Sequence, residues 1–361
     1  MNENLLDLVP EHIRGMLGTN SRVCLLSGLD VFTALKNENL IVMACNARMK
    51  HAIPGIMKAA EELDAVVAFE LTTTEGGLDG GYTGQTPELY VSTIIECAVS
   101  CGFSKPFLIH ADHITVKNTG ERELSDAGRL IAAQIEAGYT SFAIDASFNA
   151  LSDNINIVTQ LSEPIIAKGY GLEVELGEMP LSANRSALTT PGETKEFLSK
   201  LTAKGCTPQL LAINNGSKRG NYLEGEIVRI DLERTKKIDE VALSFGVSGL
   251  VQHGITGTPL HLVGKLAEYG IRKGNIGTLW QNVTHAGLPL DLMDAMRSWA
   301  RENNRDIKYA TKVFKTEIDA IPKENITMIH EMAYREAKEF LTAFRAKGSA
   351  AKLADIRGKS R

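Results

Sequence analysis

The 361-residue sequence contains no run of 18 apolar residues and no basic-then-apolar start, so neither a membrane span nor a secretion signal is expected. It also lacks an excess of positive charge: 39 Lys and Arg stand against 44 Asp and Glu, a net charge of −5. Nucleic-acid binding wants a basic face and a high pI, so no such partner is expected. Cysteines are few and odd in number (Cys24, Cys45, Cys97, Cys101 and Cys206), and none sits in a CxxC. They read as buried free thiols in a reducing compartment, here the cytoplasm. No GxGxxG follows the first strand-like run, which lowers a dinucleotide-binding reading.

What is present is alternation. Short apolar runs predict strands at 40–45, 65–71, 106–111, 141–145, 170–176, 209–213, 248–252 and 271–277. Amphipathic patterns predict helices at 51–63, 88–101, 124–138, 152–168, 192–204, 231–246, 259–269 and 290–303, preceded by helical patterns at 3–17 and 30–38. Eight apolar strands, each followed by a helix, call for parallel pairing buried on both faces. Eight such units argue for a single α/β domain, a (β/α)8 TIM barrel over about 40–303 with extra N- and C-terminal helices. Further helices over 304–348 would pack on the barrel or on a neighbouring subunit, and the basic stretch 349–361 reads as a solvated tail. Two long connections, 72–87 and 177–191, follow strands and so belong to the C-terminal face, where barrel enzymes carry their sites.

The stretch "LIHADHITVKN" (108–118) places Asp112 and His113 at the expected end of the third strand. Polar residues end other strands as well: Asn46, Asp145, Glu175, Asn214 and Asn215, His253, then Asn275 and Thr278. On a barrel these converge on one rim. His113, His253 and a carboxylate would suit a divalent ion, with Zn²⁺ expected, because Zn²⁺ takes imidazole and carboxylate and leaves a position open for substrate. Asp112 would be a carboxylate able to exchange a proton with the substrate. Taken singly, each residue has a plainer reading. A lone His is usually a hydrogen-bonded core residue, Asp145 could cap a helix, and Glu173 with Glu175 could form an internal ion-pair network. Their recurrence at consecutive strand ends favours a site.

A second set is glycine and hydroxyl. "QHGITGTP" (252–259) and "GNIGT" (274–278) follow or close the last two strands, where barrels often hold phosphate on backbone N–H groups. Gly254, Thr256, Gly257, Asn275 and Thr278 are the candidates, with Gly216 and Lys218 in the loop "NNGSKRGNY". The alternative is that these glycines only make turns.

In order, "IVMACN", "LIHADHI", "SFAIDASF", "LEVELGE", "VQHGITGTP" and "GNIGT" resemble the motifs of class II (metal-dependent) ketose-bisphosphate aldolases over about residues 30–285. The stretch "GGYTGQTP" (80–87) also resembles a motif of tagatose-bisphosphate aldolase subunits, some of which act as accessory subunits. The resemblance implies reversible aldol cleavage of a phosphorylated or similarly anionic ketose through a metal-stabilised enediolate, in a homodimer or homotetramer whose contact would be the 304–348 helices. It implies that His113, His253 and Glu175 serve the metal, that Asp112 is the acid/base for the aldehyde-derived oxygen, and that Asp145 and Asn46 assist. Gly254, Thr256, Asn275 and Thr278 would bind phosphate. Two departures stand out. Asn215-Gly216 occupies the place of a third metal histidine in a His-Gly pair, and Gly277 the place of an acidic residue. They leave open a non-catalytic, sugar-phosphate-binding subunit, or a metal-independent Schiff-base aldolase using Lys117 or Lys218.

Overall fold

The computed structural model describes residues 3–18, 20–177, 188–217 and 229–359. Among them, eight strands close into a barrel: β1 (Val42–Cys45), β2 (Val67–Thr72), β3 (Phe107–Thr115), β4 (Ser141–Asp145), β5 (Gly171–Leu176), β6 (Leu210–Ile213), β7 (Gly249–Gln252) and β8 (Ile271–Ile276). Each pairs in parallel with the next, and β8 pairs with β1. The eight-strand TIM barrel is as expected, with seven strands matching within two residues at each end. Burial explains the continuous apolar runs. Outward residues such as Val174 are covered by the helix ring, and inward ones fill the barrel in layers.

The exception is β3, expected to stop at Ala111 but continuing to Thr115. Its register against β4 shifts between Ala111 and Ile114. Asp112 and His113 therefore lie within the strand, at a bulge, rather than beyond its end.

The helix Gly28–Leu35 closes the N-terminal end of the barrel. Ser27 caps it, and the Gly28 N–H donates to Thr140 O. A Cβ on Gly171 would fall 2.6 Å from the Gly28 Cα, so this closure depends on two glycines meeting. The 3–17 pattern divides into Glu3–Leu6 and Glu11–Leu17 around Pro10, which begins the second helix.

After β8 the chain forms a helix that the sequence pattern concealed, Thr278–Gly287, before the expected Leu290–Glu302. "TLWQNVTHAG" is short, rich in β-branched residues and has no side-chain N-cap. The helix Lys323–Ala343 lays its Ile329, Ala333 and Ala337 stripe on the chain's own barrel, where a Cβ on Gly55 would meet His330 O at 2.3 Å.

Two expectations are corrected. Residues 349–359 are not a solvated tail but a helix, Ser349–Lys359, with Ala350, Leu353 and Ala354 buried. Its basic residues have partners, among them Arg357 Nη2, 2.6 Å from Asp30 Oδ1. The cysteines are all free, but only Cys24, Cys45 and Cys206 are buried; Cys97 is half-buried and Cys101 exposed. No described helix is long and apolar enough to cross a membrane.

Candidate active site

At the C-terminal mouth of the barrel the predicted residues converge. Asp112, His113, Asp145, Glu175 and His253 are all buried, with His113 the most exposed at 7%. One potential ligand atom from each of Asp112, His113 and His253 lies within 4.8 Å of the others. The same holds for His113, Asp145 and Glu175. The His113 and His253 rings lie 4.5 Å apart between centroids.

The β3 bulge makes this possible. His113 adopts φ of +41°, a left-handed conformation uncommon for a residue with a side chain. Such conformations cost about 1–3 kcal/mol and persist where the surroundings enforce them. Here Thr73 Oγ1 donates to the His113 carbonyl at 3.1 Å. The ring is held from below: His113 Nδ1 lies 2.9 Å from Glu175 Oε2 and 3.3 Å from Asp145 Oδ2. Asp145 Oδ1 in turn accepts from the Ser147 hydroxyl at 2.7 Å and backbone N–H at 3.1 Å. Asp112 accepts from two amides, Asn46 Nδ2 to Oδ2 at 3.0 Å and Asn275 Nδ2 to Oδ1 at 3.1 Å.

These contacts fix charge. Burial alone pushes the Asp112 carboxyl up, but the neighbouring charges of His113, Lys273 and His253 hold it well below the usual carboxylate range. Burial disfavours the His113 imidazolium, yet Asp112 and Glu175, with the hydrogen bonds from Asp145 and Glu175, raise its pKa well above the ordinary value. Asp145 is pushed up by burial and brought down to about 2 by His113 and Ser147.

A divalent ion suits this donor set. Two imidazoles and a carboxylate converge, and His113 Nδ1 faces carboxylates while Nε2 faces Asp112 Oδ1 at 3.8 Å. An imidazole oriented by a carboxylate on its second nitrogen is the usual arrangement of a metal-binding histidine. Asn215 departs from the set. Its Nδ2 donates to Gln252 Oε1 at 2.6 Å, and Gln252 Nε2 bonds Ser217 Oγ and the His253 carbonyl. The amide is thus engaged beside His253, and among the described residues its Oδ1 is held by contacts of 3.4 Å.

Of the glycine and hydroxyl set, Asn275 is buried, whereas Gly216, Gly254, Thr256, Gly257 and Thr278 are half-buried along the rim. Gly254 has φ of +71° and opens the short turn Ile255–Gly257, and Thr278 begins the helix Thr278–Gly287. Lys218 lies outside the described residues. Lys117 is exposed, without the burial that helps to activate a Schiff-base lysine.

Sequence reading missed two groups. The first is a layer beneath the site. Lys273 Nζ lies 3.1 Å from Glu70 Oε2 and 3.0 Å from Glu173 Oε2, and Glu173 lies 3.4 Å from His110 Nε2. The ion-pair reading weighed for Glu173 therefore holds, with Lys273 as the cation; Glu175 instead faces His113. The second is a cluster around Glu75, which bonds Asn46, Arg48 and Tyr82. Its one visible signal was the spacing Thr72-x-x-Glu75, a capping box that starts the four-residue helix Thr73–Gly76.

A family model described as fructose-bisphosphate aldolase class-II matches residues 27–334. The chain is 26% identical over 253 residues to a fructose-bisphosphate aldolase of Giardia intestinalis, covering 68% of this chain and 70% of that protein. To the fructose-bisphosphate aldolase of Streptococcus pneumoniae it is 24% identical over 272 residues, covering 74% and 81%. Among solved structures, the YdjI aldolase of Escherichia coli K12 superimposes with a TM-score of 0.60 at 20% identity, covering 89% of this chain and 98% of that one. Fructose-bisphosphate aldolase of Campylobacter jejuni gives 0.63 at 18%, covering 95% and 99%. At such identities the structural likeness speaks for the fold alone. The family match spans most of the chain: it belongs, as a divergent member, to the class-II fructose-bisphosphate aldolase family of metal-dependent carbon–carbon lyases.

Proposed function

We propose that this chain catalyses reversible aldol cleavage and condensation of a phosphorylated or similarly anionic ketose. One observation carries the reading: at the barrel mouth Asp112, His113 and His253 offer donor atoms close enough for one ion, while Asp145 and Glu175 close on the other nitrogen of the same His113 ring. His113 and His253 would hold a divalent metal, Zn²⁺ first among candidates, with Asn215 Oδ1 in place of a further imidazole; Glu175, expected as a further ligand, instead lies 2.9 Å from His113 Nδ1, where it orients the ring. When bound, such an ion supplies Lewis-acid polarisation of the ketose carbonyl and stabilises the charge that develops there.

The protein's own groups do the rest. Asp112, kept ionised by its surroundings and oriented by Asn46 and Asn275, exchanges a proton with the aldehyde-derived oxygen. Asp145 and Glu175 hold the His113 ring through Nδ1. Gly216, Lys218, Gly254, Thr256, Gly257, Asn275 and Thr278 would receive the phosphate or equivalent anion. The proposal includes a sugar phosphate as the partner molecule rather than nucleic acid or membrane, a cytoplasmic setting in keeping with the free cysteines, and a homodimer or homotetramer.

A second reading, a sugar-phosphate-binding accessory subunit without catalysis, is favoured by one observation, the Asn215–Gln252 bond. Metal content per chain, by elemental mass spectrometry on protein purified without chelator, separates the two. About one divalent ion per wild-type chain, lost in His113→Ala, is expected, followed by cleavage of a ketose phosphate in a substrate screen. Absence of metal after reconstitution would sink the metal-dependent reading and leave the accessory role or the Schiff-base route.

A further inference from the structure

Glu75 is 3% exposed, yet it lies in the connection after β2 rather than in the barrel. A capping box would use only its contact with the Thr72 N–H, 3.0 Å from Oε2. The carboxylate takes three further partners. Arg48 approaches Oε1 through Nε and Nη2, each at 2.7 Å, Tyr82 OH donates to Oε1 at 3.1 Å, and Asn46 Nδ2 donates to Oε2 at 3.1 Å. Arg48 is fixed at its other end by Gln281 Oε1 at 2.6 Å.

The Asn46 contact matters because the same Nδ2 donates to Asp112. One amide nitrogen stands between two carboxylates, so its N–H groups must face them. Asn46 Oδ1 is turned toward Gly277, 3.2 Å from where a Cβ would stand there. Gly277 has φ of −116°, which any residue can adopt, so what its missing side chain provides is room. A Cβ would fall 2.9 Å from Arg48 Nη2.

We infer that Glu75 is a positioning residue: acting through Asn46, with Arg48 as its counter-charge, it holds Asp112 in place for the carbon–carbon bond step. What Asp112 does rests on the aldol reading above; that Glu75 orients it does not. Arg48 balances Glu75, so the second carboxylate adds no uncompensated negative charge beside Asp112. In Glu75→Gln one acceptor oxygen remains where there were two. The remaining oxygen stays with the Arg48 cation, so the new NH2 faces the Asn46 Nδ2 donor, and Asn46 is released from its place.

The test has two arms. In a crystal structure of Glu75→Gln, the distance from Asn46 Nδ2 to Asp112 Oδ2 should exceed hydrogen-bonding range; an unchanged contact overturns the inference whatever the substrate. In solution, two rates are compared, cleavage of the ketose phosphate that the wild type accepts and solvent-deuterium exchange into the ketone fragment which that cleavage releases, a reaction that requires no carbon–carbon bond step. Misplacing a reacting group by an ångström can lower a rate about 10²-fold, so kcat for cleavage should fall by that order while exchange stays within about threefold of wild type. The double variant Glu75→Gln/Asn46→Ala should be no slower than Asn46→Ala alone, as expected of residues acting through one another. Equal losses in both rates, or additive losses in the double variant, would mean a merely structural role. Tyr82→Phe, which removes one hydroxyl from Glu75, repeats the test with a smaller loss if Glu75→Gln does not fold. A wild type that neither cleaves nor exchanges ends the aldol reading, and the crystallographic arm still decides the inference.

Discussion

His110 and His113 lie three residues apart in one strand, both buried, both facing carboxylates, and they belong to different regions. His110 sits in the lower layer with Glu70, Glu173 and Lys273, where exposure is 2% or less throughout. His113 sits in the upper layer with Asp112, Asp145, Glu175 and His253. The strands that build one layer also build the other, two residues further along: Glu70 then Thr72, His110 then Asp112, Glu173 then Glu175, Lys273 then Asn275. The alternation of strand side chains makes this inevitable. The layers differ in the state of their charges. Below, one buried cation is shared by two carboxylates. Burial lifts the Glu70 pKa well above the ordinary range, while Lys273 and His110 overcome burial to bring Glu173 to about 2. Burial and Lys273 lower the pKa of His110, favouring its neutral form. Above, two imidazoles converge with three carboxylates on one small volume at the mouth. A charge set paired mainly within itself, reaching the mouth through Asp112, is scaffold. One that converges on shared space beside the rim is a site.

The largest effect expected from breaking this contrast is in the upper layer. Asp112→Asn should lower kcat for ketose-phosphate cleavage by about 10²–10⁴-fold, the range for loss of a general acid/base, and leave one of the two amide donors, Asn46 or Asn275, facing an N–H. In the lower layer the expected loss is of stability. Lys273→Met leaves Glu173 buried without its cation, and breaking a buried pair in this way costs about 3–5 kcal/mol. The sign with pH follows. The folded pKa of Glu173 is depressed from 4.5 to about 2, so its contribution is present above 4.5 and lost as pH falls through 2. Without Lys273, Glu173 folds more easily protonated. The deficit measured by denaturant unfolding should therefore be larger at pH 7 than at pH 4, and a deficit independent of pH would contradict the lower layer as an ion pair.

How much of this was legible follows from the period of each element. The barrel was, because buried parallel strands are apolar runs that need no partner to be seen. The upper layer was legible where polar residues interrupt those runs near strand ends, as Asp112 and His253 do. The lower layer was not, since Lys273 in "IRKGNI" looks like a surface residue until β8 closes on β1 and turns it inward. Glu75 was hidden for another reason: the chain brings it beside Asn46 through a loop, with no repeating pattern to mark the contact. The 349–359 helix reads as a tail because its buried residues beside Leu353 are small, Ser349, Ala350 and Ala354, and carry little hydrophobic signal.

Between scaffold and site stands Asp145, which touches His113 but is held by Ser147. Asp145→Asn should weaken metal retention about 10–100-fold, the usual cost of losing the carboxylate behind a metal-binding histidine, read by competition with a chelator. Unaltered retention would move Asp145 to the scaffold.

The smallest effect tests the C-terminal helix. Arg357 reaches Asp30 in the helix that closes the barrel bottom, with both side chains about a quarter exposed. Solvent screens such a pair, and its loss in Arg357→Ala should cost no more than about 1 kcal/mol. Leu353, on the same helix and fully buried, is the control. Leu353→Ala should cost about 2–5 kcal/mol through the lost burial and the cavity left behind. If residues 349–359 were a solvated tail, both substitutions would be silent. If the helix were held by charge, Arg357→Ala would be the worse of the two and its effect would vanish in salt. A large loss for Leu353→Ala beside a small one for Arg357→Ala means that the helix is held as the barrel is, by apolar contact, and that its basic residues decorate an apolar interface.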